Sequence, residues 1–290
     1  MTWLAVAKKD FRDAVQSRAL WALVGVFVVV SVLSAYAYVE VPEMFGSPTG
    51  ATFAGLVFFT TGLISLFVPI AAIVVCHKSV AGERELGSIK LLLSLPTTRA
   101  NVFAGKVLGR AAVLAAGLGV GLVVGLGFGS VLLGDLEVVS LVVFVLVTLA
   151  FAGVYAAIVV GISATTGSTA RATTLALGFF VVFELLWDAI PFGIVYVVSG
   201  FTLPAPAEFP DWVFVITQLS PSAAYFSTTI ALLPGLAEAA GAAPEAGAGV
   251  EVNGGADAFY VTPELGILAL AFWLVVSLAV GYYRFEGADL

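Results

Sequence analysis

Six apolar runs, at about 19–38, 53–76, 107–133, 138–163, 172–198 and 264–283, decide what this chain can fold into. Each provides about 20 predominantly apolar residues, the length a helix needs to cross hydrocarbon. A closed barrel also satisfies backbone polar groups there, but it reads as alternating segments of about ten residues. These runs are long and continuous instead. Of the 290 residues, 61% are apolar and 11% charged, against about 25% charged in a soluble domain. The expected fold class is an all-α polytopic membrane protein with six transmembrane helices.

Basic residues orient those helices. With the N-terminus in the cytoplasm, Lys8, Lys9, Arg12 and Arg18 precede the first span. Lys78, Arg84, Lys90, Arg99, Lys106 and Arg110 fall in or beside the second cytoplasmic segment, Arg171 in the third and Arg284 in the tail. All 12 Lys and Arg then lie inside, which is the positive-inside pattern, and both termini are cytoplasmic. Acids distribute the other way, with Glu40, Asp135, Glu208, Asp211, Glu245 and Asp257 among those outside, and the net charge is −7. Such an acid-rich, lysine-poor outer surface stays solvated in high salt, which favours a halophilic source.

The first 18 residues are too charged for a secretory leader, and the run behind them is too long for its apolar region. Trp3, Leu4, Ala7, Phe11, Ala14 and Val15 recur at helical spacing. Residues 1–18 therefore read as an amphipathic helix lying in the membrane interface. Cys76 and His77 are the only residues of their kinds, too few for a disulfide or a tetrahedral zinc site. Gly105 and Lys106 are spaced like the end of a phosphate-binding loop. That loop's first glycine is Ala100 here, however, and its Ser/Thr is Val107. No catalytic residue and no metal ligand set can be named, and no nucleic-acid partner is expected.

Two spans carry unusual residues. In the third, Gly105, Gly109, Gly117, Gly121, Gly125 and Gly129 share one register of four, which permits close backbone approach. Packing within the protomer and a sliding surface for conformational change are both open readings. In the fifth, Glu184 and Asp188 are the only acids inside an apolar run, spaced to share one helical face. A mid-membrane carboxylate costs about 2.5–3.5 kcal/mol on insertion scales, so Glu184 should face a cavity or another helix. It either lines a substrate path or is a protonated structural acid. Residues 199–263 form the outer segment, with two apolar stretches too short to span, read as half-helices. A flexible Ala/Gly/Pro/Glu loop follows over 234–257.

Between spans two and three, residues 77–106 hold VAGERELGSIKLLLSLPTTR. Glu83, Arg84 and Glu85 precede an apolar cluster with Ile89, Leu91, Leu92, Leu93 and Leu95, and Pro96 should stop the helix near Leu95. A short amphipathic helix of this kind either plugs a partner's groove or lies on the bilayer.

The leader KKDFRDAVQSRAL, the loop GERELGSIKLLLSLPTTRANVFAGK and the tail YYRFEGADL fall in an order that resembles an ABC-2-type permease. Such a permease is the membrane subunit of an ATP-binding-cassette transporter, and the resemblance is to archaeal members. It covers 1–290 as one permease domain. It implies that the loop is a coupling helix contacting an ATPase subunit through Glu83, Arg84, Glu85, Gly87, Ser88, Leu91, Leu92, Leu93, Pro96 and Arg99. It also implies a second permease copy or paralogue, lipid around the spans, and ATP with Mg bound on the separate ATPase chain rather than on this one. Glu184 and Asp188 become candidates for the substrate path, and Gly117, Gly121, Gly125 and Gly129 for helix packing. Family cargo includes lipids, polysaccharides and drugs, and some members serve copper-enzyme maturation; export is the expected direction. The competing classes are an ion- or proton-coupled carrier using Glu184 and Asp188, and a membrane anchor for a cytoplasmic complex.

Overall fold

The structure is a computed structural model that describes residues 2–16, 18–44, 50–93, 96–202, 204, 209–233, 235–236, 239 and 264–288. Every regular element among them is helical: α1 (Trp3–Val15), α2 (Arg18–Met44), α3 (Phe53–Cys76), α4 (Ala81–Glu85), α5 (Ser88–Leu93), α6 (Arg99–Leu133) and α7 (Val138–Ala164). Then come α8 (Thr169–Phe180), a π-helical segment Val181–Leu186, α9 (Ala189–Val198), α10 (Asp211–Thr217), α11 (Pro221–Leu232) and α12 (Glu264–Glu286). Six helices among the described residues are long and apolar enough to cross a membrane. They are Leu20–Pro42, Phe53–Glu85, Arg99–Leu133, Val138–Ala164, Thr169–Leu186 and Glu264–Glu286. The segment carrying α4 and α5 lies at the end of the bundle where the basic residues gather, here termed the basic end.

α6 organises the packing. Its 35 residues span about 52 Å at 1.5 Å per residue, more than the roughly 30 Å of hydrocarbon. Thr98 caps its start by accepting a hydrogen bond from the Asn101 amide at 3.2 Å. The first turns reach beyond the bilayer and form a wall for α1, while the remainder packs on α2, α3 and α7. The glycine register explains how. A Cβ on Gly121 would lie 2.7 Å from the Cβ of Phe27 and 2.9 Å from its carbonyl carbon. Gly125 meets Ser31 in the same way, Gly129 meets Leu56 and Ala35, and Gly117 meets Leu23 and Phe27. Closer to the basic end, Gly105 and Gly109 receive Val6 and Asp10 of α1. The register is thus filled by the chain's own α1, α2 and α3.

α10 and α11 form a hairpin that enters the bundle from the other end. A proline explains where it docks. Pro69 lies inside α3 and has no amide hydrogen, so the Ser65 carbonyl loses its bond from four residues on. The Ser222 hydroxyl, in the first turn of α11, donates to that carbonyl at 2.9 Å. One turn along, Tyr225 is fully buried, stacks on Phe151 at 4.3 Å and pairs its hydroxyl with Thr148 at 2.8 Å. The turn between the two helices is held by Trp273, whose indole donates to the Leu219 carbonyl at 2.7 Å. Trp273 lies nine residues into α12, about 14 Å along its axis, so the hairpin tip sits near mid-membrane. Irregular backbone is tolerated at that depth because protein surrounds it.

One expectation about the spans changes. The fifth run reads as a single span over 172–198, but the structure divides it into α8, the π segment and α9. A π turn is rare and has no signature in an apolar run. The loop expected over 234–257 lies outside the described residues except for 235, 236 and 239.

Candidate functional site

At the basic end, the charged stretch reads as one helix but forms two, broken at Leu86 and Gly87. Gly87 has φ +70°, a left-handed conformation that ends α4 and that a side chain adopts only under strain. Its backbone amide bonds the Arg84 carbonyl at 3.1 Å, closing the turn before α5 begins at Ser88. Ser88 sends its hydroxyl back to the Glu83 carbonyl at 3.3 Å. Leu91, Leu92 and Leu93 form the last turn of α5, but their side chains, like the expected helix end at 94–95, lie outside what the structure describes.

The three charges of α4 are each bonded by the chain itself, Glu83 and Arg84 partly buried and Glu85 at the exposed end of the helix. Glu83 meets the Lys106 ammonium at 2.6 Å. Lys106 is 1% exposed and also lies 3.9 Å from Asp10 of α1, which in turn meets Arg110 at 3.2 Å. Two acids and two bases therefore join α1, α4 and α6 in a charge cluster with Lys106 and Asp10 buried at its centre and Glu83 and Arg110 partly exposed. Charges this deep persist because each has an opposite partner. Arg84 donates to the Ala164 carbonyl at the end of α7, at 3.2 Å. Glu85 accepts the Thr169 amide at 2.9 Å, at the start of α8. In return, Ser163 of α7 accepts the Val80 and Ala81 amides at 3.2 and 3.0 Å and donates to the His77 carbonyl at 2.7 Å.

Arg99 is likewise used internally. Its guanidinium bonds the carbonyls of Phe285, Glu286 and Ala288, satisfying the C-terminal end of α12, where a cation also suits the helix dipole. Pro96 is exposed. Among the described side chains of the α4–α5 segment, the most exposed large apolar one is Leu86, 83% exposed at the break between the two helices. Reading the sequence for charge and for the leucines of α5 passed over it. The signal was present as a leucine directly before a glycine that interrupts the helix.

At mid-membrane, Glu184 lies in the π segment, half-buried against α11. Its carboxyl meets both the hydroxyl and the backbone amide of Ser222, and Oε1 is buried. Asp188 is exposed and opens α9. The two acids thus differ in surroundings despite their helical spacing. Beside Glu184, Phe179, Phe183 and Trp187 stack in a column with centroids 4.6 and 4.7 Å apart, and Trp273 meets Phe179 and Phe183 edge-on. The Trp187 indole donates to the Ile216 carbonyl of α10 at 2.6 Å. Span five, the hairpin and α3 therefore meet at Glu184, Ser222 and Ser65.

Comparison with known proteins bears on what this arrangement serves. The family model described as "ABC-2 family transporter protein" matches residues 4–290. The chain belongs to the ABC-2 transporter family. Among its relatives in this family, a probable ABC transporter permease protein NosY from Stutzerimonas stutzeri is 26% identical, covering 97% of this chain and 96% of the relative. A protein of the same description from Pseudomonas aeruginosa is 28% identical, covering 69% of this chain and 73% of the relative. Both relatives are bacterial, and neither supports the archaeal or halophilic reading. Together with the six apolar helices, these findings make the chain a permease subunit of an ABC transporter, a multi-pass integral protein of the cell membrane.

Proposed function

We propose that this ABC-2 permease subunit pairs with a second permease copy or paralogue and docks a separate cytoplasmic ATPase through α4 and α5. The observation that carries the reading is Leu86. An exposed leucine on a tight break is the kind of apolar knob that a partner's groove takes as an anchor. Its position supports a cytoplasmic basic end, because the positive-inside rule assigns basic connections to that side. ATP and Mg bind on the partner chain, this chain hydrolyses nothing, and cargo leaves the cell. Glu184 lines the route at the junction of span five and the hairpin, with Asp188 further along. Gly87 sets the angle between α4 and α5, while Glu83, Arg84 and Arg99 hold the docking element in place.

Purification of the tagged chain from its own membranes should bring down a polypeptide with phosphate-loop and signature motifs. Leu86→Asp should release that polypeptide while membrane insertion is unchanged, because loss of a buried anchor typically costs about 2 kcal/mol or more. Copurification unchanged by Leu86→Asp would remove α4–α5 as the docking element. Cysteines near Glu137 should label from outside the cell, and those near Ser88 only after permeabilisation.

A further inference from the structure

The charged cluster, the hairpin junction and the join between α4 and the α7–α8 connection are the strongest features that the permease assignment leaves unexplained. The join carries the furthest. Helix starts leave backbone amides without intrahelical partners, and these are ordinarily capped by the residue just before the helix. Here neither N-cap side chain caps its own helix, although the Ser168 amide bonds the Thr166 hydroxyl at 3.2 Å. Val80, at the N-cap of α4, makes no side-chain cap bond, and neither does Ser168 at the N-cap of α8. Instead Ser163, at the end of α7, takes the first amides of α4, and Glu85, at the end of α4, takes the first amide of α8. α7 thus caps α4, and α4 caps α8. Arg84 closes the same join through the Ala164 carbonyl, and the site of a Gly167 Cβ would lie 3.7 Å from its guanidinium. The Thr169 methyl lies 3.6 Å from where a Gly82 Cβ would sit, so the two helix starts lie close together.

We infer that Glu85 is a positioning residue that transmits movement of the docking element to span five, by tying α4 to the first turn of α8. Span five is the span least enclosed by the rest of the chain. Only 11% of its most apolar window is buried, the least of the six candidate spans. It also contains the π segment and Glu184, so a pull on the first turn of α8 reaches the mid-membrane junction along one continuous stretch. The inference rests on the docking of an ATPase at α4 and α5, and it adds the route by which that docking is felt.

The test separates a mechanical tie from a simple helix cap. Val198, 80% exposed at the far end of span five, is replaced by cysteine in the complex purified with its ATPase. The only native cysteine, Cys76, is buried. Labelling by a membrane-impermeant maleimide is followed with and without ATP plus vanadate. The parent complex should show an ATP-dependent change in labelling rate. Glu85→Ala should lose that change with the ATPase still bound, and Glu85→Gln, which keeps an acceptor oxygen, should retain it. Ser168→Asp combined with Glu85→Ala supplies a local cap to α8 without restoring the tie, so it should still lack the change.

Recovery of the change in that double variant would show that Glu85 only caps α8 and would overturn the inference. A change that survives Glu85→Ala, or that is absent from the parent complex, would overturn it as well. Loss of the ATPase from Glu85→Ala would make Glu85 a partner contact, with the same consequence. If the parent chain brings down no ATPase, it is the docking reading itself that fails.

Discussion

Replacing Lys106 by Met tests whether the basic end is held together by charge. The ammonium is 1% exposed and touches Glu83 at 2.6 Å and Asp10 at 3.9 Å. Methionine keeps the length of the stem and its apolar contacts but leaves both carboxylates without this partner. Removing one member of a buried pair typically costs about 3–5 kcal/mol. The low end applies here for two reasons. Asp10 retains Arg110 at 3.2 Å, and the Glu83 side chain is 25% exposed, so water can reach it. A loss of about 3 kcal/mol, at about 2–4 °C per kcal/mol for a large domain, lowers the melting temperature by about 6–12 °C. Intrinsic fluorescence of the five tryptophans in detergent reports the transition. Combining Lys106→Met with Glu83→Gln should cost less than the sum of the single variants, because the second change removes the stranded charge. A Lys106→Met protein that melts with the parent would refute the view that this cluster holds α4 on α6.

Three further outcomes follow from the packing. Gly125→Leu should destabilise the chain by more than about 1–3 kcal/mol, because Ser31 backbone blocks the site, while Gly127→Leu, with nothing within 4 Å, should be tolerated; thermal melts compare them. Ser222→Ala should cost about 1–3 kcal/mol by stranding the Ser65 carbonyl, and adding Pro69→Ala should recover much of it by restoring an amide to that carbonyl. Glu184→Gln should leave the fold and ATPase binding intact and abolish most cargo-stimulated ATP hydrolysis, since it keeps the volume of the side chain but removes its ionisable carboxyl; normal stimulation would make Glu184 structural.

The six spans were legible because continuous apolar length is a property of single segments. The glycine register was legible too, although its partners were not: nothing in residues 117–129 names Phe27 or Ser31. The charged stretch was found for its charges, yet those charges are spent inside the chain. Their partners lie far along the sequence, at Lys106, Ala164 and Thr169, so no local spacing could pair them. The break at Gly87 and the π segment at 181–186 departed from helical periodicity for local reasons that an apolar pattern does not encode. Pro69 is the instructive case. It reads as a defect in a span, but it frees the carbonyl that seats the hairpin.

The central claim is that the exposed break between α4 and α5 seats an ATPase. Leu86→Cys, joined by a short bifunctional crosslinker in native membranes and identified by mass spectrometry, tests it most directly. The expected adduct is a separate chain carrying phosphate-loop and signature motifs, formed at Leu86→Cys and absent when the cysteine is placed at Val198 instead. An adduct only with lipid, or with a second copy of this chain, would contradict the claim.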